Sequence, residues 1–115
     1  MLMTVDIEIL PEERAVVTFT GPLTLGASLH MADSQVQAAI ARGVTKMIFD
    51  MSGVDYVDSA RLGLMVHTYG KLNEKNGVFR LCGVSPRVMS LLKLTKTDAI
   101  LVIDGCRDES VAAMN

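Results

Sequence analysis

Residues 44–63 read Val-Thr-Lys-Met-Ile-Phe-Asp-Met-Ser-Gly-Val-Asp-Tyr-Val-Asp-Ser-Ala-Arg-Leu-Gly, and the fold can be worked out from this stretch in both directions. Met47-Ile48-Phe49, preceded by Val44 and closed by Asp50, is a short apolar run. A run of this length between helical segments predicts a buried strand of a βαβ unit. Met51 to Val57 then has no regular period. A helix opens at Asp58-Ser59, with an expected inward stripe of Leu62, Val66, Tyr69 and Leu72, Met65 adjacent, and Asn76-Gly77 as its close.

Upstream, Val5, Ile7 and Ile9 alternate with Asp6 and Glu8, the pattern of a half-buried strand. Pro11-Glu12-Glu13 is a turn and Ala15 to Thr20 a second strand, so the pair predicts a hairpin ended by Gly21-Pro22. Leu29, Ala32, Val36, Ala39 and Ile40 recur at helical spacing, and Gly43 is a natural left-handed stop. Downstream, Val78 to Cys82 is a strand. Ser85-Pro86 starts a helix, with Ser as N-cap and Pro at its first position, and Val88, Leu91 and Leu92 inward. Ile100 to Ile103 reads as the last strand and Arg107 to Met114 as the last helix. The order ββαβαβαβα predicts an α/β fold: a small, mixed, mostly parallel sheet after an N-terminal hairpin, with about four helices. Sites in such folds lie at the carboxyl ends of the parallel strands.

Composition narrows the function. The 115 residues are 50% hydrophobic, which excludes a disordered chain, and suit one domain spanning 1–115. Eleven basic against 13 acidic residues leave a net charge of −2, and only 4% is aromatic, with no Trp. That combination removes both the basic footprint of a nucleic-acid binder and a base-stacking platform. The N-terminus has no basic start, Asp6 interrupts its apolar run, and no stretch approaches the roughly 18 apolar residues of a membrane span. A cytoplasmic protein is expected. Cys82 and Cys106, without a CxxC spacing, read as buried free thiols.

The chemistry concentrates at Asp58-Ser59, where a loop enters a helix. One reading is a plain N-terminal cap worth about 1 kcal/mol. The other makes the Ser59 hydroxyl a phosphate acceptor, because a helix N-terminus presents free N–H donors and the positive end of the dipole. Elsewhere the sequence offers no phosphate-binding Gly-rich loop, no arguable Ser-His-Asp arrangement and no metal-ligand spacing, so no enzyme activity and no cofactor are expected. His30 and His67 read as ordinary helix residues, and Asp50 and Asp55 as strand-end and turn residues. Arg80, Arg87, Lys93 and Lys96 read as scattered surface charge. Met51, Met65 and Met89 offer either an adaptable surface or core filling, the latter for Met65.

The segment Asp50-Met51-Ser52-Gly53-Val54-Asp55-Tyr56-Val57-Asp58-Ser59-Ala60-Arg61-Leu62-Gly63 resembles the signature of STAS domains, and more narrowly of the bacterial anti-sigma factor antagonists. The hairpin ending in Thr20-Gly21, the segment from Gly77 through Pro86 to Val88, and Leu91 to Lys96 resemble the same family, so the likeness covers nearly the whole chain. The resemblance implies a STAS fold and a phospho-switch. The unphosphorylated protein binds an anti-sigma factor that is also a serine kinase, and so releases a sigma factor. The kinase phosphorylates the serine after the motif Asp, and a PP2C-type, metal-dependent phosphatase reverses this. Carried over, the acceptor is Ser59, and the partner-binding residues are Asp58, Ser59, Ala60, Arg61, Gly63 and Leu64. Two departures stand out. Arg61 replaces the family's usual Gly: it adds bulk beside Ser59, pairs with a phosphate there, or is simply a solvated side chain. Residues 21–26 lack the acids often found after the second strand and resemble STAS domains of sulfate-type anion transporters. A non-switching scaffold and a small-ligand or anion-binding STAS domain are the alternatives. The oligomeric state stays open.

Overall fold

Hydropathy alternation builds the sheet, and the computed structural model describes it over residues 4–21, 27–58 and 62–114, the side chains of 27–30 excepted. Strands β1 (Thr4–Leu10) and β2 (Arg14–Thr20) form the expected antiparallel hairpin. Then follow α1 (Ala27–Ala41), β3 (Lys46–Gly53), α2 (Leu62–Glu74), β4 (Val78–Cys82), α3 (Pro86–Leu94), a single 3-10 turn (Thr97–Ala99), β5 (Val102–Asp104) and α4 (Arg107–Ala113). The five strands lie in chain order, and every pair after the hairpin is parallel. The architecture is the one expected from residues 44–63.

Each strand presents its odd and even residues to different layers. Ala15, Val17, Phe19, Met47, Phe49, Phe79 and Leu81 face the principal core, which α1, α2 and α3 close with Val36, Ile40, Met65, Leu72, Val88 and Leu92. Phe49 sits between Phe19 and Phe79, ring centroids 4.9 and 4.7 Å away, both pairs edge-to-face. On the opposite face Val16, Ile48 and Cys82 form a smaller cluster with Met114.

The helix stops follow the sequence. At the end of α1 the Gly43 N–H donates to Ile40 O and the Val44 N–H to Ala39 O, with Gly43 at φ +112°, a Schellman close. At the end of α2 Asn76 takes the left-handed conformation, and Gly77 donates to Leu72 O at 2.8 Å. Gly77 is needed for space, because a Cβ there would overlap the Thr45 carbonyl. Ser85 caps α3 as expected, its hydroxyl oxygen accepting from the Val88 N–H at 3.2 Å, with Pro86 at the first position.

Two expectations need correction. The last strand begins at Val102 rather than Ile100, because the N–H groups of Ile100 and Leu101 turn back to Thr97 O and are lost to the ladder. The inward side of α2 is Leu62, Leu64, Met65, Thr68 and Leu72, with Tyr69 only half-buried and Val66 exposed. Thr68 takes the inward place that its neighbours' hydropathy obscured, because its hydroxyl is satisfied by donating to Leu64 O at 2.8 Å.

Gly77→Ala forces backbone apart where α2 meets the start of β3. We expect a loss of about 1–3 kcal/mol, the range of overpacking costs, read as a lowered urea midpoint at unchanged slope. An unchanged midpoint would show that this junction yields.

Candidate functional site

The carboxyl end of β3 and the loop after it carry the candidate site. The loop is pinned at every third residue: Met51, Val54 and Val57 are buried in the core, and the Val54 N–H donates to Met51 O at 2.9 Å. Ser52, Gly53, Asp55 and Tyr56 are left facing outward. Gly53 lies against the end of β2, its carbonyl accepting from the Gly21 N–H at 2.9 Å. The segment therefore has a set path, although beyond Gly53 its regular pairing is limited to a single bridge at Val57.

Asp50 starts that path. Its side chain is only 12% exposed. Oδ1 accepts from the Ser52 N–H at 3.0 Å and from the Ser52 hydroxyl at 2.7 Å, while Oδ2 faces Arg107 Nε at 3.7 Å. Arg107, from α4, also donates to the Thr18 hydroxyl at 2.9 Å. Beside them Asp104 accepts from Arg80 Nη1 at 3.1 Å and from the Ser110 hydroxyl at 2.6 Å. Thr18, Asp50, Cys82 and Asp104 are register partners across four strands, so they form one polar row at the carboxyl ends of the parallel strands, covered by α4. A buried carboxylate needs such partners. Sequence reading gave Asp50 only a strand-end role. Its contacts with Ser52 and Arg107 join the loop and the last helix, and nothing local in the sequence signals a bond between residues as distant as Thr18 and Arg107.

The expected site residues have different fates. Asp58 is half-buried, and Gly63 is exposed in the first turn of α2. Leu64, expected at a partner contact, is buried in the principal core, so its contribution is to hold α2 in place. Ser59, Ala60 and Arg61 lie outside the described residues, as do residues 22–26 with the unusual sequence after β2. The outward side of α2 is formed by Gly63, Val66, His67 and Lys71. Met51 and Met65 are core residues rather than an adaptable surface, and Met89 is half-buried. Among the described residues no group of three or more His, Cys, Asp or Glu is placed to hold a metal ion, and no helix is long and apolar enough to cross a membrane.

A family model for the STAS domain matches residues 4–110. The chain belongs to the STAS domain family. BtrV of Bordetella bronchiseptica, whose name places it among the anti-sigma factor antagonists, is 22% identical over 87 residues, covering 76% of this chain and 75% of BtrV. An anti-sigma factor antagonist from Mycobacterium paratuberculosis superposes with a TM-score of 0.85 at 21% identity, over 98% of this chain and 94% of its own. SpoIIAA in its unphosphorylated form superposes with a TM-score of 0.82 at 19% identity, over 94% and 93%. The phosphorylated form of SpoIIAA, from Bacillus, gives 0.79 at 18% identity, over 97% and 100%. At these identities the structural likeness establishes the fold.

The two thiols differ. Cys106 is exposed at the start of α4, contrary to the expectation of two buried thiols, whereas Cys82 is buried in the polar row. Burial, and then the negative charge of Asp50, push the Cys82 thiol up from its ordinary 9.0 to about 11. Between those values the unfolded chain gives up this proton and the folded one keeps it. The contribution is therefore full below pH 9.0 and is lost as pH rises through about 11. The stability of the wild type minus that of Cys82→Ala, measured by urea unfolding, should fall across that window. Ellman's reagent should meet one fast thiol in the native protein and a second on unfolding; two fast thiols would contradict the burial.

Proposed function

We propose that this chain is a phospho-switched anti-sigma factor antagonist, built as a single STAS domain and acting in the cytoplasm by binding rather than catalysis. In this reading the unphosphorylated form docks on an anti-sigma factor that is also a serine kinase, and so frees a sigma factor. The contact is made by the outward residues of the 51–58 loop, by Asp58, Ser59, Ala60, Arg61 and Gly63, and by the exposed side of α2, with Leu64 supporting from the core. The kinase phosphorylates Ser59 and a PP2C-type phosphatase restores the hydroxyl.

The observation that carries this reading is the pinned loop. Burial of Met51, Val54 and Val57 sets the path of the chain as far as Asp58, and α2 runs from Leu62; in sequence, Ser59 falls between the two. A hydroxyl just ahead of a helix N-terminus suits a modification that adds about −1.5 to −2 charge. The known phosphorylated and unphosphorylated forms of the similarly folded SpoIIAA support it further.

Desolvating that charge in the docked interface costs several kcal/mol unless a cation meets it, and each 1.4 kcal/mol is about tenfold in affinity. Calorimetric titration against the cognate kinase should therefore show Ser59→Asp binding at least about tenfold more weakly than wild type. Ser59→Ala should bind and gain no phosphate in an intact-mass assay. Arg61→Gly separates the two roles of Arg61: faster phosphorylation marks a residue that blocks access, and weaker binding by the Ser59→Asp form marks one that pairs with the phosphate. Equal affinity of wild type and Ser59→Asp would leave the non-switching scaffold.

A further inference from the structure

The loop that leads to Ser59 also forms one wall of a groove of about 310 Å³, whose other wall is α3. The floor is apolar, formed by the buried Val57 and Val88 with Leu91. The rim carries Tyr56, 40% exposed, and Leu94, 81% exposed at the last turn of α3. A leucine so exposed on an ordered helix beside an apolar groove has nothing among the described residues to cover it. The volume is at the small end of the roughly 300–1,000 Å³ of ligand sites, enough for one or two side chains.

Arg87 gives the groove its charge preference. Its guanidinium carbon lies 4.8 Å from the centroid of the Tyr56 ring. Stacking occupies the face of the guanidinium and leaves its N–H edge available. Among the described residues none hydrogen-bonds or ion-pairs with it. Among the described residues lining the groove it is the charged one, and Lys93 stands exposed on the same helix. An occupant with an apolar side chain fills the floor, and a carboxylate next to that side chain meets the free edge of Arg87 in the fork geometry that guanidinium favours.

We propose that the groove between Tyr56-Val57 and α3 docks a short segment of the partner protein in which an apolar residue adjoins an acidic one. The proposal rests on the preceding reading for the identity of the partner, and deepens it by stating what that partner presents to the loop that carries Tyr56 and Val57. In that reading the groove supplies affinity and phosphorylation gates it.

The test titrates the isotope-labelled full chain with two blocked peptides, Ac-Glu-Leu-Leu-Glu-NH2 and Ac-Lys-Leu-Leu-Lys-NH2, in the millimolar range. Amide shifts should be confined to Tyr56, Val57 and α3, and the acidic peptide should bind about tenfold more tightly, the scale of one charge-assisted contact. Arg87→Gln should erase that preference, and Leu94→Ser should weaken both peptides. Both side chains are exposed, so the remaining spectrum checks that each variant folds. Absence of shifts, shifts elsewhere, or equal binding of both peptides overturns the proposal. So does broadening of the same amides with protein concentration alone, which would give the groove to a second copy of this chain. Against the cognate kinase, loss of binding in Ser59→Asp but not in Arg87→Gln or Leu94→Ser removes the groove and keeps the switch. Selective peptide binding without any kinase binding keeps the groove and removes the switch.

Discussion

Phe49 stands in the middle strand with its ring held edge-on by Phe19 from β2 and Phe79 from β4. The three rings cross the parallel sheet on the face covered by α1, α2 and α3. Each such pair adds about 0.5–1.5 kcal/mol beyond the area it buries. The larger consequence is geometric. Buried rings, the middle one in contact with both others, fix the spacing of three neighbouring strands, and close packing passes that spacing on to the helices above. The position of α2, and with it the face considered for partner binding, depends on this contact through Met65 and Leu72.

The residue after Phe49 points the other way. Asp50 is a carboxylate flanked along its strand by Phe49 and Met51, and its burial is tolerable because Ser52 and Arg107 meet it. One peptide unit thus divides two tasks, the ring fixing the core and the carboxylate directing the loop. Because Arg107 belongs to α4, that helix is tied to the beginning of the loop as well as to the sheet. A helix of 7 residues is far too short to persist alone. Its place is set by Met114 on Val16, Ile48 and Cys82, and by the ionic contacts of the polar row.

The fold was legible because its signals are local. Gly43, Asn76-Gly77 and Ser85-Pro86 end or begin helices through bonds within a few residues, and β2, β3 and β4 carry apolar runs that any parallel sheet would bury. Legibility ended where a tertiary contact chose between local options. Val66 looks more inward than Thr68 by hydropathy, yet Thr68 is buried once its hydroxyl donates to Leu64 O. Ile100 is a good strand former, but Thr97 captures its N–H first. At the site, the Asp-Ser pair and its family likeness were readable. The inward turn of Leu64 was not, because positions 62–65 are apolar apart from Gly63 and only packing decides which of them face in. Arg107, paired with Thr18 and Asp50 across most of the chain, has no signature in its own neighbourhood.

The strands lie side by side in the order in which they are synthesised. Each new strand finds its partner already at the growing edge of the sheet, and no later strand has to be inserted between earlier ones. Such neighbour-only connections keep loop-closure distances short, which favours rapid folding for a parallel sheet. The same order lets the sheet assemble as the chain leaves the ribosome, from the hairpin outward. The two faces mature at different times: α1 and α2 can cover the aromatic face early, whereas Val16, Ile48 and Cys82 wait for α4. The interval between β4 and α4 is therefore when the nascent chain presents an uncovered apolar sheet surface and is most exposed to wrong association.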